Sequence, residues 1–264
     1  MTVTVSMPYW RSPETIRRSV DSVLAQTHRD LRLVVVNDGD RTTPPWPHLA
    51  DIDDPRLIRF DLADNRGRYW SDAVTLAACD TEWWTPHDAD DVSLPERFAA
   101  HLATGADVSF CHAHYTFLDG VERLSPVKAT LVPTKDRLRT IARYPAGMYR
   151  ANVARMVGGP HPECRGSYDT AMVCLLWHKF APVVVDGYLY HVHKREGSLT
   201  TSNKTGLHTA WRRNQRRRVK ALYWKVFDQP VDRWSKLLAP SKHVARQVAD
   251  DTTRLRELIG RSIP

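Results

Sequence analysis

Asp88-Ala89-Asp90 places two carboxylates one residue apart, just after a short run that is suited to a strand. Carboxylate oxygens are the ligands that hard divalent cations prefer, and such a cation can in turn hold a diphosphate. Two neighbouring acids also occur at helix N-termini, where the helix dipole stabilises negative charge. The pair alone therefore leaves two interpretations open, a metal–diphosphate site and a helix start.

The elements before this pair determine where it lies in the fold. Residues 3–7 and 31–36 are β-type runs, and each is followed by a polar loop, at 8–11 and 37–40. A helix is expected between the two runs, starting at Pro13. This strand–helix–strand opening predicts a doubly wound α/β sheet, whose ligands bind at the carboxyl ends of the strands.

The rest of the chain continues the alternation of strands and helices. Further strands are predicted at 57–60, 82–85, 108–117 and 183–190, and helices at 71–79, 94–102, 151–156 and 168–179. A hairpin turn is indicated at Asp119-Gly120, residues 121–140 look irregular or mixed, and two or three helices follow from about 205.

Several short motifs occur in a fixed order along this framework. They are V-S-M-P-Y-W-R at 5–11, S-V-L-A-Q-T at 22–27, L-V-V-V-N-D-G-D at 33–40, D-N-R-G at 64–67, D-A-D-D at 88–91, G-S-Y-D at 166–169 and Y-H-V-H at 190–193 with G-S-L-T at 197–200. Over about residues 1–203 the chain closely resembles family 2 glycosyltransferases, so the resemblance implies the GT-A fold, a Rossmann-like doubly wound mixed sheet.

The resemblance implies a binding site for a nucleotide-sugar donor. Trp10, in the loop that starts at Pro8, would stack on the base, and Asp38 would accept a hydrogen bond from its ring N–H. Arg66 would reach the base or the diphosphate, and Asp88 would lie near the ribose or the water shell of the metal. The residues alone also permit a core tryptophan, a turn aspartate and an exposed loop arginine at 10, 38 and 66.

The resemblance also implies a divalent cation, Mn²⁺ or Mg²⁺. Asp90 matches the metal-binding carboxylate, and His193 matches a histidine that completes metal or diphosphate binding, although a histidine at a strand end is often just exposed. Asp91 is expected to be structural, at a helix N-terminus. Lys204 would add positive charge if the segment 197–210 folds over the donor.

Asp169 matches the carboxylate that acts as general base on the acceptor. Its residue type alone also fits an acid interacting with a helix N-terminus. Tyr168 stands where the family usually has Glu, Asn37 replaces the first Asp of D-D-G, and Asp72 stands where Arg is common. These departures affect the identity of the sugar and the acceptor contacts more than the type of reaction.

The resemblance thus predicts an inverting, metal-dependent transferase that uses a UDP-sugar and an unidentified acceptor, which could be a small metabolite, a lipid-linked glycan or a polymer. A catalytically silent nucleotide-sugar-binding protein remains an alternative. A second alternative is a nucleic-acid-binding module built on the basic segment near the C-terminus, and a transferase whose acceptor is a nucleic acid would combine the two.

The positive charge of the chain is concentrated in one segment. Lys and Arg number 38 against 30 Asp and Glu, and residues 197–227 hold eight of these bases and no acid. An anionic membrane surface or a nucleic acid is therefore a possible partner of residues 204–225. The apolar face of this segment, at Val219, Leu222, Tyr223 and Val226, would dock on the catalytic domain or enter a membrane interface.

Length and composition set the remaining expectations. The 264 residues contain 42% hydrophobic and 26% charged residues, which excludes wholesale disorder, and no apolar run is long enough to cross a membrane. Four scattered cysteines and the absence of a signal peptide predict a cytoplasmic protein, with a peripheral position at the inner membrane surface as the alternative. We expect a donor half at 1–95, an acceptor half at 96–203 and a basic helical extension at 204–264.

Overall fold

The computed structural model describes residues 1–138 and 140–262. The strands are β1 (Val3–Tyr9), β2 (Leu31–Asn37), β3 (Leu57–Asp61), β4 (Trp83–Pro86), β5 (Val92–Ser93), β6 (Val108–Thr116), β7 (Glu122–Ser125), β8 (Gly147–Arg150) and β9 (Val183–His193). The helices are α1 (Pro13–Leu24), α2 (Arg68–Ala78), α3 (Arg97–Ala103), α4 (Ala151–Met156), α5 (Tyr168–Phe180), α6 (Ala210–Phe227), α7 (Trp234–Leu237) and α8 (Lys242–Ser262).

All strands of the described residues join one mixed sheet in the order β3-β2-β1-β4-β8-β6-β9-β5, with β7 paired to β6. The strands β1 to β4 pair in parallel, as do β6 and β9, whereas β8 pairs antiparallel with both β4 and β6. The mixed, doubly wound α/β sheet expected from the sequence is therefore confirmed. The loops after β1, β2 and β4 meet at one edge, because they follow the carboxyl ends of parallel neighbours.

Two helix starts and the place of Asp91 differ from expectation, and the short strands β5, β7 and β8 are not among those predicted, although β7 lies in the segment 121–140 that was expected to be irregular or mixed. The helix α2 begins at Arg68, three residues before the predicted start, because Gly67 at φ +90° turns the loop directly into the helix. The helix α3 begins at Arg97 rather than at 94. Asp91 precedes β5, which pairs with β9, so it does not begin a helix as expected. The acids at 88–91 are therefore not explained by a helix dipole.

The C-terminal helices pack on the sheet domain. Val219, Tyr223 and Val226 of α6 are buried in the same apolar cluster as α5, so the predicted apolar face docks on the protein itself. Leu255 and Ile259 of α8 are buried against the cluster that includes α2 and β3. Full burial of each such side chain contributes about 1.5–3 kcal/mol. No helix in the described ranges is both long enough and apolar enough to serve as a membrane span.

Candidate active site

A cavity of about 630 Å³ opens at the carboxyl edge of the sheet. Its wall is formed by the loops after β1, β2 and β4, the first turns of α2 and α5, the end of β9, the segment 197–205 and the start of α6. Most site residues expected from the sequence line it, namely Pro8, Trp10, Asp38, Asp88, Asp90, Asp169, His193 and Lys204. The fold therefore brings together residues that are far apart in sequence.

Arg66 is the expected site residue whose side chain points elsewhere. Its guanidinium lies 5.0 Å from the ring of Trp70, and Nη1 lies 3.5 Å from Oε1 of Gln247 on α8. Another arginine, Arg165, lines the cavity next to this loop, where Nη1 donates to the carbonyl oxygen of Asn65 at 3.0 Å. Sequence reasoning did not single out Arg165, because the contact joins positions 100 residues apart.

Asp38 organises the loop at 64–67. Its Oδ1 accepts from the backbone N of Arg66 at 2.6 Å, and its Oδ2 accepts from Gly67 N at 2.8 Å and from Asn65 Nδ2 at 3.0 Å. Burial raises the pKa of Asp38 to about 6, against the opposing effect of these hydrogen bonds. A Cβ on Gly39 would lie 2.4 Å from the backbone of the same loop, so the turn requires glycine there.

Three carboxylates form an acid cluster, defined here as Asp88, Asp90 and Asp91, in which one oxygen from each residue lies within 4.8 Å of the other two. Burial and the neighbouring charge of Asp88 raise the pKa of Asp90, and burial with both neighbours raises that of Asp91 well above its usual range. Burial also acts to raise the pKa of Asp88, but the Arg68 and Arg143 guanidiniums outweigh it and lower that pKa. So much confined negative charge favours cations nearby.

Two arginines place positive charge next to the acid cluster. Arg68 forms an ion pair with Asp88, and Nε of Arg195 lies 2.9 Å from Oδ2 of Asp90. Both arginines line the cavity, and neither was predicted. Arg195 is preceded by Lys194 directly after the strand-end histidine, so a pair of bases following H-x-H is a sequence signal that could have identified it.

His193 lies beside the acid cluster, where its backbone N donates to Oδ1 of Asp91 at 3.0 Å. Its ring Nδ1 is buried and has no hydrogen-bond partner among the described residues. Burial, followed by the charge of Arg18, lowers the pKa of His193, so the imidazole is neutral and able to act as a ligand. The three carboxylates fit a divalent cation such as Mn²⁺ or Mg²⁺, whereas the ring nitrogens of His193 are not among the ligand atoms that lie within 4.8 Å of one another there.

Asp169 lies half-buried in the first turn of α5. The hydroxyl of Tyr69 donates to its Oδ1 at 3.0 Å and accepts from its backbone N at 3.0 Å, so the carboxylate is held in one orientation. Tyr168 is buried with its ring 5.9 Å from that of Tyr69. The residue in the place of the usual Glu therefore packs in the core, and it is not among those that line the cavity.

The first turn of α2 contacts both the acid cluster and Asp169. Arg68 contacts Asp88, and the next residue, Tyr69, contacts Asp169. One turn later Asp72 is fully buried, where its carboxylate accepts from Ser6 Oγ at 2.7 Å and lies 3.5 Å from Nη2 of Arg68. Burial raises the pKa of Asp72 to about 6, although Arg68 opposes the shift.

We expect Arg68→Met to lower the free energy of unfolding by about 3 kcal/mol at pH 8, because two buried carboxylates lose their cation. The folded-state pKa of Asp72 is raised from the ordinary value of 3.8 to about 6, so its ionisation lowers stability as the pH rises from about 4 to about 6. Protonation of these carboxylates removes their uncompensated charge, so Arg68→Met should lower the free energy of unfolding less at pH 5 than at pH 8. Urea unfolding at both pH values measures this loss. Arg41→Met, at an exposed position, is the control. Equal losses at pH 5 and 8 would contradict this assignment.

Two further cations in the cavity were missed by sequence reasoning. Arg143 and Lys194 both approach the ring of Tyr115, at 5.6 and 5.5 Å from its centroid, and neither forms an ion pair within the described part of the chain. Nε of Arg143 is buried without a hydrogen-bond partner there. Burial and the charge of Arg143 lower the pKa of Lys194. Arg143 follows an irregular segment, where no periodicity indicates which side chains point inward.

Comparison with known proteins provides independent information on the family. The profile of Glycosyl transferase family 2 matches residues 4–157. The succinoglycan biosynthesis protein ExoO of Rhizobium meliloti is 30% identical over 122 residues, which are 45% of this chain and 35% of that protein. The uncharacterized glycosyltransferase MJ1057 of Methanocaldococcus jannaschii is 20% identical over 85% of this chain and 84% of its own length. The chain thus spans only about a third of the first relative.

Solved structures share the architecture at low sequence identity. S. aureus TarS 1-349 in complex with UDP-GlcNAc is similar with a TM-score of 0.62 and 17% identity, over 99% of this chain and 92% of that one. GalNAc-T7 with UDP, GalNAc and Mn²⁺ has a TM-score of 0.61 and 12% identity, over 99% of this chain and 57% of that one. From the family match over residues 4–157 and the shared architecture, we conclude that this chain is a family 2 glycosyltransferase with the GT-A fold.

Proposed function

We propose that this glycosyltransferase inverts configuration and moves a sugar from a UDP-sugar to an acceptor hydroxyl or amine with the help of a divalent metal. The observation that carries the proposal is that one cavity holds both the acid cluster and an oriented carboxylate, Asp169. The TarS complex with UDP-GlcNAc and the GalNAc-T7 complex with UDP and Mn²⁺ support the choice of donor and metal.

In this mechanism Asp169 removes the acceptor proton while the acceptor oxygen or nitrogen attacks the anomeric carbon. The bond from that carbon to the diphosphate oxygen breaks on the opposite face, so the configuration inverts. Tyr69 keeps Oδ1 of Asp169 in place, which limits the orientations of the base to those that can reach the acceptor. Trp10 and Asp38 lie in the same cavity to receive the uracil base.

Negative charge develops on the leaving diphosphate, and the cavity contains groups that oppose it. Asp90, with Asp88 and Asp91, would hold Mn²⁺ or Mg²⁺, and a bound cation neutralises charge on the diphosphate. Arg143, Lys194 and Lys204 are among the cationic side chains that line the cavity without an ion pair in the described residues, and they add to this neutralisation. The segment 197–205 forms part of the wall and excludes water from the donor.

A donor screen tests the proposal. A UDP-sugar at 100 times its dissociation constant, with Mn²⁺, should stabilise the native state by about 2.7 kcal/mol, which corresponds to a rise in melting temperature of about 5 °C or more for a chain of this size. Slow hydrolysis of the same UDP-sugar distinguishes a transferase from a silent binding protein. GDP-sugars serve as the matched control for the base. If no UDP-sugar raises the melting temperature, the proposed donor class is wrong.

A further inference from the structure

The exposed side of α6 carries a row of cations. Arg213, Arg217, Lys220 and Trp224 follow one another at helical spacings of four, three and four residues, so they share one face over about 16 Å of helix. Arg216 flanks this face, and we define the basic stripe as Arg213, Arg216, Arg217 and Lys220. The opposite face of the helix is buried in the protein, so the stripe points away from the core.

The stripe has no acidic partner within the described residues. None of its four members lies within 4.0 Å of a carboxylate there, whereas the neighbouring Arg218 pairs with Glu163 at 2.8 Å. The guanidinium of Arg213 donates to the carbonyl oxygen of His208 at 2.8 Å. A merely solvated helix face normally carries acids four residues from its bases, because such pairs are favourable. The charge of the stripe is thus available to an external anionic partner.

An exposed indole borders the stripe, and an exposed aliphatic side chain lies on the segment that contacts this indole. Trp224 is 44% exposed, its ring lies 4.6 Å below the ammonium of Lys220, and its indole N–H donates to the carbonyl oxygen of Lys135 at 2.6 Å. That bond places the segment 131–137 beside α6, and this segment carries Val132 with 71% exposure. Because Lys220 covers one face of the indole, Trp224 is a poor platform for stacking a base. Cations beside exposed aromatic and aliphatic groups suit the interface of a bilayer.

We propose that the basic stripe, with Trp224 and Val132, docks the protein on a membrane that contains anionic phospholipids. The stripe supplies attraction to the headgroups, and the two apolar side chains enter the interface. The first turn of the same helix contains Trp211 and Arg212, which line the cavity. Docking along α6 therefore places the cavity next to the lipid surface. This inference does not depend on the identity of the donor or the acceptor.

Sedimentation with vesicles tests the proposal. The full chain is mixed with vesicles of phosphatidylcholine alone, or with a quarter of the lipid replaced by phosphatidylglycerol, at 50 and 500 mM NaCl. We expect binding only to the anionic vesicles and loss of that binding at high salt. Each basic residue at such a surface strengthens binding about fivefold. The triple variant Arg213→Gln, Arg217→Gln, Lys220→Gln should therefore bind about 100-fold more weakly.

A second triple variant separates the stripe from net charge. Arg29→Gln, Lys242→Gln and Arg246→Gln removes the same three charges from exposed positions outside α6, and it should bind almost as tightly as the unmodified chain. Equal losses in the two variants, or no binding of the unmodified chain to anionic vesicles at 50 mM NaCl, would overturn the proposal. Tighter binding to duplex DNA than to the anionic vesicles at the same salt would overturn it in favour of a nucleic-acid partner.

Discussion

Replacing Asp169 by asparagine should lower the rate of glycosyl transfer by about 10²- to 10⁴-fold, the usual contribution of a general base. Asparagine has nearly the same shape, and its side-chain oxygen can still accept the hydrogen bond from Tyr69. It cannot take up the acceptor proton, however, so the chemical step slows while the cavity keeps its form. Transfer rates at saturating donor and acceptor measure the effect.

Donor binding provides the internal control for this variant. The rise in melting temperature caused by UDP-sugar and Mn²⁺ should be nearly unchanged in Asp169→Asn, because no donor contact is assigned to this carboxylate. Glu14→Gln makes the equivalent change in the first turn of α1, at an exposed position outside the cavity, and should leave the rate intact. An Asp169→Asn enzyme with full activity would mean that another carboxylate is the base.

Chelation should reduce transfer to the background rate, and Mn²⁺ or Mg²⁺ should restore it. The physical reason is the confined negative charge of the acid cluster, which the Arg68 and Arg195 ion pairs neutralise only in part before a diphosphate enters. The Asp90→Asn variant removes one charged ligand, so we expect it to lower transfer by at least about 10²-fold, which corresponds to a few kcal/mol of lost charge stabilisation.

The melting temperature of the same variant tests metal binding directly, without a turnover assay. Mn²⁺ alone should raise the melting temperature of the unmodified chain and have little effect on Asp90→Asn, and donor affinity should fall together with turnover. Asp80→Asn changes an exposed carboxylate outside the cluster and should behave like the unmodified chain. Full transfer activity in excess EDTA would contradict the metal-dependent mechanism.

Local patterns in the sequence were sufficient for six of the nine strands of the described residues, their polar loops and the cavity edge, but they did not indicate the short strands β5, β7 and β8. The apolar runs at β1 and β2 and the motif order identified that edge, because hydrophobic periodicity and turn residues act over a few positions. The helical spacing of Val219, Tyr223 and Val226 likewise predicted a buried face of α6. The expected division at 95 and 203 remains a prediction.

Long-range contacts explain what the sequence could not reveal. The side chain of Arg66 lies toward α8, more than 180 positions away, while Arg165 and Arg143 reach the cavity from remote segments. The helix start expected at Asp91 was wrong because β9 recruits the following residues into the sheet as β5. Pairings of this kind depend on tertiary packing, which single-sequence patterns do not encode.

The contact between α2 and α8 makes the last helix a mechanical support of the catalytic site. Two consecutive residues of α2 contact Asp88 and Asp169, and the next residue, Trp70, donates its indole N–H to Asp251 of α8 at 3.0 Å. Leu255 and Ile259 brace the outer face of the same helix. We therefore expect substitutions in α8 that disturb this contact to shift α2 and, with it, the contacts to both Asp88 and Asp169.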